Sequence, residues 1–224
     1  MGKLICYTVI TGGYDKVDET LARANPGWEC WALTDGAPPP DPHGWHYRKL
    51  PKSYYSLRRQ SRRPKLLSHE TFPEAEFTVY MDGHVRVKPS AKLNHLVDRL
   101  GDGKLMASDH HQHRHDPYQE AAECIRLDRD DHDTIRRQVN RYRGEGLPEG
   151  CGLWEGGFLV RRACREIEEF EHVWWDEYLC NSCRDQISLP YAAWKTGLKI
   201  TSLPLDERDR FYNVGDHVGR RVDG

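Results

Sequence analysis

An aspartate, a glycine and a histidine stand in the middle of the chain, directly after an apolar run, and their side chains could hold a cation. Residues 77–81 are mostly β-branched or aromatic, which predicts a buried strand that ends at Asp82-Gly83. Ligands of open α/β sheets bind just beyond the carboxyl ends of strands. Asp82 and His84 are two residues apart, so in an extended chain they share a side and could bind Mg²⁺ or Mn²⁺ together. The same residues are equally typical of a plain turn, since Asp-Gly is the commonest hairpin signal.

A run of basic residues leads toward this strand. Between Arg48 and Lys65 the chain carries eight lysines and arginines and no acidic residue. Arg58, Arg62 and Lys65 have the i, i+4, i+7 spacing of one helical stripe. Such a stripe could meet a diphosphate, although most basic runs are solvated helix faces. Pro64 predicts that the helix is interrupted or restarts at that residue.

The first predicted strand, residues 4–10, is followed by two glycines. Gly12 and Gly13 let the backbone pass close to a ligand, and Tyr14 beside them could stack on a base. The dinucleotide fingerprint is missing from this loop, because it lacks the third glycine and the following helix.

Strands and helices alternate along the rest of the chain. Apolar and β-branched runs predict further strands at residues 29–35, 45–47, 105–108 and 153–161. A period of 3.6 residues predicts helices at residues 93–100, 118–125, 135–142, 167–178 and 185–191. This alternation predicts a single α/β domain with a mixed, mostly parallel sheet flanked by helices.

The composition is that of an ordinary globular protein. Of 224 residues, 38% are hydrophobic and 30% are charged, which is enough for one sizeable core. A formal charge of −2 and a pI near 6.6 exclude the global basic field of a nucleic-acid coat or a membrane-surface protein. No apolar run approaches the roughly 20 residues of a membrane helix, and the N-terminus has no signal-peptide core. We therefore expect a cytoplasmic protein without a membrane span.

Cysteines and histidines give two further candidate metal sites, both weakly supported. The seven cysteines are odd in number and scattered, which favours reduced thiols over a disulfide framework. Cys180 and Cys183 form a lone pair at zinc spacing, with no second pair to complete a site. Four histidines lie among residues 110–115, where a substrate-facing loop is the favoured interpretation.

A series of short motifs resembles, in the same order, the TOD/MUCI-type glycosyltransferase-like family. The motifs cover nearly the whole chain, and together they are more specific for the family than for its reaction. They comprise residues 64–69, 72–73, 80–83, His111, Arg114, 118–121, Gln138, Tyr142, 145–147, 155–161, 174–177, 184–188 and 212–217.

The resemblance implies a GT-A-like, Rossmann-like domain over residues 1–224, in which residues 1–109 hold a nucleotide sugar and residues 110–224 hold the acceptor. GT-A enzymes bind Mn²⁺ or Mg²⁺ at an Asp-x-Asp motif on a strand tip, and the metal bridges the diphosphate of the donor. Asp82 matches the first aspartate, and His84 stands in place of the second. His217 is similar to the C-terminal histidine that completes such a site in several glycosyltransferases.

The remaining roles implied by the resemblance follow from glycosyl transfer, which leaves negative charge on the diphosphate and positive charge on the sugar. The expected donor-binding residues are Thr8, Tyr14, Arg62, Lys65, Asp82 and Gly83, with Asp35 a weaker candidate. Asp185 and Gln186 resemble the Asp-Gln element that faces the reacting sugar in glycogenin-like enzymes, and either Glu155 or Asp185 could act as the base. The expected acceptor-binding residues are His111, Arg114, Gly156, Gly157 and Arg184.

The favoured function is transfer of a sugar from a nucleotide sugar, with a UDP-sugar favoured, to a hydroxyl of a saccharide or other acceptor. The sequence does not distinguish transfer of a hexosyl group from transfer of a pentosyl group, or inversion from retention at the anomeric carbon. Two alternatives use the same residues: a metal-dependent hydrolase, and a sugar- or nucleotide-binding module without catalysis. A base in DNA is a conceivable acceptor supported only by the basic run 48–65, which a donor diphosphate explains equally well.

Overall fold

Seven strands form the main sheet of the computed structural model, which describes residues 2–51, 55–112 and 114–215. These strands are β1 (Lys3–Ile10), β2 (Glu29–Thr34), β3 (His46–Lys49), β4 (Ala75–Met81), β6 (Leu105–Asp109), β7 (Trp154–Arg162) and β8 (Ile200–Leu203). Two short strands, β5 (Val85–Val87) and β9 (Tyr212–Val214), pair with each other in a separate antiparallel sheet. The sequence predicted the seven strands of the main sheet except β8, with boundaries displaced by a few residues.

The strand order of the main sheet is β3-β2-β1-β4-β7-β6-β8. Neighbouring strands are parallel except at β7, which runs antiparallel to both β4 and β6. The predicted mixed, mostly parallel sheet is therefore confirmed. This topology brings the carboxyl ends of β1 and β4 and the amino end of β7 to the same edge of the sheet.

Helices cover both faces of the main sheet. They are α1 (Leu21–Ala24), α2 (Leu57–Leu66), α3 (Ser68–Thr71), α4 (Leu93–Leu100), α5 (Pro117–Arg126), α6 (His132–Glu145), α7 (Arg165–Cys180), α8 (Asp185–Thr196) and α9 (Leu205–Phe211). Alternate residues of the strands serve the two faces: Tyr7 packs with α2, α7 and α8, whereas Cys6 packs with α1 and α4. Both side chains are fully buried, as expected of a central parallel strand.

The basic helix α2 continues through Pro64, so the predicted interruption at that residue is wrong. Pro64 lies in the last turn of the helix, where its missing N–H removes one hydrogen bond. Tyr7 Oη donates to the Pro64 carbonyl at 3.0 Å, and Lys65 and Leu66 beside it are buried. Packing of this turn on the sheet therefore holds the helix together where the proline weakens it.

The chain turns at Asp82 but does not form a hairpin with the strand before it. The Val85 backbone N–H donates to the Asp82 carbonyl at 2.9 Å, which closes a tight turn. The next strand, β5, then pairs with β9 instead of β4. The Asp82 side chain therefore lies just beyond the carboxyl end of β4, a central strand of the main sheet.

Two other expectations concern the cysteines and membrane insertion. All seven cysteines are free thiols, as the sequence predicted. Within the described ranges, no helix combines the length and the apolar character that crossing a membrane requires.

Candidate active site

A cavity of about 530 Å³ opens beyond the carboxyl ends of β1 and β4. Eleven of the residues selected from the sequence line it, although they come from distant parts of the chain. They are Tyr14, Arg62, Lys65, Asp82, Gly83, His84, Gly156, Gly157, Arg184, Asp185 and Gln186. The residues on this list come from both halves of the chain that the sequence assigned separately to donor and acceptor.

Asp82 is fixed at the floor of the cavity by its backbone and its side chain. Its N–H donates to the Gly157 carbonyl at 2.8 Å, and its Oδ1 accepts a hydrogen bond from Tyr80 Oη at 2.5 Å. Burial raises the pKa of Asp82, but the positive charges of Lys65 and Arg62 outweigh this effect and hold it below its ordinary value. Asp82 is therefore a carboxylate at neutral pH.

Asp185 forms the second anionic centre, at the start of α8, where a negative charge is favoured by the helix dipole. Its Oδ2 accepts a hydrogen bond from Lys65 Nζ at 2.5 Å and lies 3.4 Å from Arg62 Nε. Burial raises the pKa of Asp185, but these two cations hold it well below its usual range. A carboxylate so strongly paired is a poor proton acceptor, which makes Asp185 a better electrostatic group than a base.

Two arginines line the cavity, and the Nε of each is buried. Among the described residues, Arg62 Nε and Arg184 Nε are buried without a hydrogen-bond partner, although both side chains line the cavity. The contact between Arg62 Nε and Asp185 Oδ2 is thus an ion pair without a hydrogen bond. A guanidinium carries five N–H donors, so both side chains have further donors to offer the acceptor oxygens of a ligand in the cavity.

Gly156 and Gly157 bring the backbone of β7 close to the ionic groups of the cavity. A Cβ on Gly156 would lie 3.1 Å from Lys65 Nζ, and a Cβ on Gly157 would lie 3.1 Å from Asp82 Oδ2. The absence of these side chains leaves space beside the ionic groups. Since Asp82 Oδ1 is held by Tyr80, Oδ2 is the oxygen that faces the space left by Gly157.

This arrangement fits a hard divalent cation. Asp82 supplies an ionised oxygen with free space beside it, and His84 lines the same cavity. Mg²⁺ and Mn²⁺ bind carboxylate oxygens, and Mn²⁺ also accepts an imidazole. His217, the third ligand predicted from the sequence, lies outside the described residues.

A second cavity of about 310 Å³ adjoins the first and shares Asp82, His84, Gly156, Gly157 and Gln186 with it. Glu155 and His111 line this second cavity, as does Arg208. Glu155 Oε1 lies 2.7 Å from His111 Nδ1 and accepts from the His111 backbone N–H at 3.1 Å. Arg208 Nη1 approaches the two carboxylate oxygens at 3.3 and 3.4 Å. Glu155 is thus held in the wall of the second cavity, next to Gly156, which lines both cavities.

Three sequence-based assignments need correction. Thr8 is only 3% exposed inside β1 and does not line the donor cavity, whose wall at the end of this strand is formed by Val9, Ile10 and Thr11. Arg114 lines neither cavity, because its Nε donates to Glu120 Oε2 at 2.8 Å in a structural ion pair. Asp35 accepts hydrogen bonds from the Gly12 N–H at 3.0 and 3.1 Å, so it shapes the loop.

Sequence reasoning missed Arg208. It belongs to α9, a short helix of mostly charged residues in which no motif distinguishes one arginine from another. Its place beside Glu155 depends on a contact across 53 residues of chain. The sequence offered one signal: Arg208 lies four residues before the family motif at residues 212–217. Tyr212 of that motif also lines the second cavity.

Comparison with known proteins gives a family and a curated relative. The family model described as TOD1/MUCI70, glycosyltransferase-like domain, matches residues 47–213. Over 172 residues, the chain is 30% identical to a protein of Arabidopsis thaliana named "Probable hexosyltransferase MUCI70". The match covers 70% of this chain and 29% of that protein, so the chain spans less than a third of the relative's length.

Solved structures that match the chain include two glycosyltransferases. The structure titled as the apo form of the bifunctional glycosyltransferase WbbM gives a TM-score of 0.58 at 13% identity, over 92% of this chain and 39% of that chain. The galactosyltransferase LgtC, in complex with donor and acceptor sugar analogues, gives a TM-score of 0.49 at 15% identity, over 88% and 73% of the two chains. The likeness to the first structure supports the GT-A-like fold predicted from the sequence.

Proposed function

The chain belongs to the TOD1/MUCI70 glycosyltransferase-like family, and on this premise we propose that it transfers a hexosyl group from a nucleotide sugar to a hydroxyl acceptor. The observation that carries the proposal is the cavity at the ends of β1 and β4. It combines two ionised aspartates, a buried lysine and two arginines. A nucleoside diphosphate bound to a sugar has the oxygens and the charge that such a cavity accommodates.

The diphosphate of the donor meets the cations of α2 and of the segment before α8. Arg62 and Arg184, which line the cavity, donate to the diphosphate oxygens, and Lys65 adds a fixed positive charge. Tyr14, on the loop after β1, lines the cavity where it can stack on the base. We expect UDP-sugars to be the preferred donors. A divalent cation held by Asp82, His84 and His217 would supply further positive charge to the diphosphate.

The transferred sugar becomes positively charged as its bond to the diphosphate breaks. Asp185 is ionised and fixed by Lys65, so it can stabilise that charge without reorganisation. Gln186, the next residue in the chain, lines both cavities and can hold a sugar hydroxyl. Lys65 and Arg62, the cations next to the aspartates, stabilise the negative leaving group at the same time.

The acceptor enters through the second cavity, where Glu155 is the residue placed to receive its hydroxyl proton. Glu155 is held by His111 and Arg208 and adjoins Gly156, which leaves access to the donor cavity. A carboxylate within hydrogen-bond reach of the attacking hydroxyl is the usual arrangement for general base catalysis. The polar lining of the cavity, with Glu155, His111 and Arg208, suits a saccharide acceptor.

A thermal-shift screen of the purified chain tests the donor assignment. UDP, GDP, CMP and their sugar conjugates are each added with Mn²⁺ or with EDTA. A ligand at 100 times its dissociation constant stabilises the folded state by about 2.7 kcal/mol, which is about 5–11 °C in Tm for a chain of this size. We expect such a shift with UDP and Mn²⁺.

Matched variants of α2 show whether the shift comes from this cavity. Arg62→Ala should abolish it, whereas Arg63→Ala, which removes an exposed neighbour on the same helix paired with Glu70, should keep it. A parent protein whose Tm responds to none of these nucleotides would contradict the proposal.

A further inference from the structure

Two histidines and a glutamate from two helices meet at a place separate from both cavities. His69 and Glu70 belong to α3 and His172 to α7, and one ligand atom of each lies within 4.8 Å of the other two. We propose that these three side chains form a second metal site. Two imidazoles and a carboxylate select Zn²⁺, Co²⁺ or Ni²⁺ over Mg²⁺, and water can complete the coordination.

A buried glutamate prepares His69 for this role. Glu171 Oε2 lies 2.5 Å from His69 Nδ1 and accepts from the His69 backbone N–H at 3.1 Å. Its other oxygen accepts from Ser68 Oγ at 2.5 Å and lies 3.1 Å from Arg161 Nε. A carboxylate on one ring nitrogen fixes the tautomer and orientation of a histidine and leaves the second nitrogen for a metal. His69 Nε2 is therefore the ligand atom.

The other two ligands can close around the cation by rotation of exposed side chains. The ring centroid of His172 lies 4.7 Å from that of His69, at an interplanar angle of 70°. Glu70 pairs with Arg63 through Oε2, and a carboxylate can keep that partner while its other oxygen binds a metal. Ligand atoms about 2.0–2.1 Å from zinc in a tetrahedral site lie about 3.3 Å apart. The three atoms lie within 4.8 Å of one another, so they need to approach by up to about 1.5 Å, which rotation of the exposed side chains can supply.

The site is separate from Asp82. His69, Glu70 and His172 line neither cavity of the candidate active site. The two sites also differ in chemistry: Asp82 favours hard cations, whereas the histidine pair favours the later metals of the first row. A cation at the second site joins α3 to α7, two of the helices that cover one face of the sheet.

Zinc titration of the full chain by isothermal calorimetry tests this site. The variants are His172→Ala and Glu70→Gln, and the control is His95→Ala, an exposed histidine on α4. We expect the parent and His95→Ala to bind Zn²⁺ equally, and the other two variants to bind it at least tenfold more weakly. Their circular dichroism and their shift with UDP and Mn²⁺ should match those of the parent.

Two results would overturn the second site. One is a parent that binds no Zn²⁺ in the titration. The other is His172→Ala that binds Zn²⁺ as tightly as His95→Ala does, with the same Tm rise on zinc addition. Neither depends on glycosyl transfer, so the second site and the proposed function fail separately.

Discussion

Replacing Asp185 with asparagine tests the ionic centre on which the cavity depends. Asp185 Oδ2 lies 2.5 Å from Lys65 Nζ, whose side chain is only 2% exposed. At that distance and an effective dielectric constant of about 20, the gross attraction is roughly 7 kcal/mol, most of which offsets the desolvation of the two charges. Removing one partner of a buried pair typically destabilises a protein by about 3–5 kcal/mol, because the other charge stays buried. We expect about 3 kcal/mol, since Asp82 remains close to the two cations.

Urea denaturation measures the effect as a change in the free energy of unfolding, and Tm should fall by about 6–12 °C. The control is Asp133→Asn, which removes an exposed aspartate from the first turn of α6. Asp133 forms an exposed ion pair with Arg136, and such pairs contribute at most about 1 kcal/mol. The double variant Lys65→Met/Asp185→Asn should lose less stability than the sum of its single variants, because neither charge is then left alone. If Asp185→Asn lowers the free energy of unfolding by no more than Asp133→Asn does, the reasoning is refuted.

Two further predictions concern the same cavity. Gly157→Ala places a Cβ 3.1 Å from Asp82 Oδ2 and should weaken Mn²⁺-dependent UDP binding at least tenfold in a calorimetric titration. The control is Gly144→Ala, whose Cβ would meet no neighbouring side chain within 4 Å, and it should leave the affinity unchanged. Equal affinities of the two variants for UDP would show that Asp82 takes no part in binding. Because the pKa values of Asp82 and Asp185 are lower in the folded protein than in the unfolded chain, their contribution to stability is complete above about pH 4 and is lost as pH falls through the folded values. The urea midpoint of the parent should therefore fall more steeply below about pH 4 than that of Asp185→Asn, and parallel curves would contradict these assignments.

The strand tip at Asp82 and the basic stripe were predictable because each depends on local order in the sequence. A five-residue run rich in β-branched and aromatic side chains identifies β4, and helical spacing places Arg58, Arg62 and Lys65 on one side of α2. The structure places all three of those side chains at the cavity. Pro64 was misjudged because a proline in the last turn can be tolerated when tertiary packing holds that turn, which local sequence does not reveal.

Long-range pairings were beyond reach of the sequence. Lys65 and Asp185 are 120 residues apart, and nothing in their local sequence shows that they form one ion pair. Arg114 fitted the family motif, yet its guanidinium serves Glu120 in a structural contact. Motifs identify residues that matter to a family without separating those that touch a ligand from those that hold the fold.

Mass spectrometry of a transfer reaction tests the central proposal most directly. The nucleotide sugar selected by thermal shift is incubated with the parent protein, Mn²⁺ and an array of saccharide acceptors, and with Glu155→Gln in parallel. We predict an acceptor whose mass rises by one hexosyl unit with the parent, and a product yield reduced at least a hundredfold with Glu155→Gln. Release of free sugar at the same rate with and without acceptors, and no glycosylated product, would contradict glycosyl transfer and indicate hydrolysis instead.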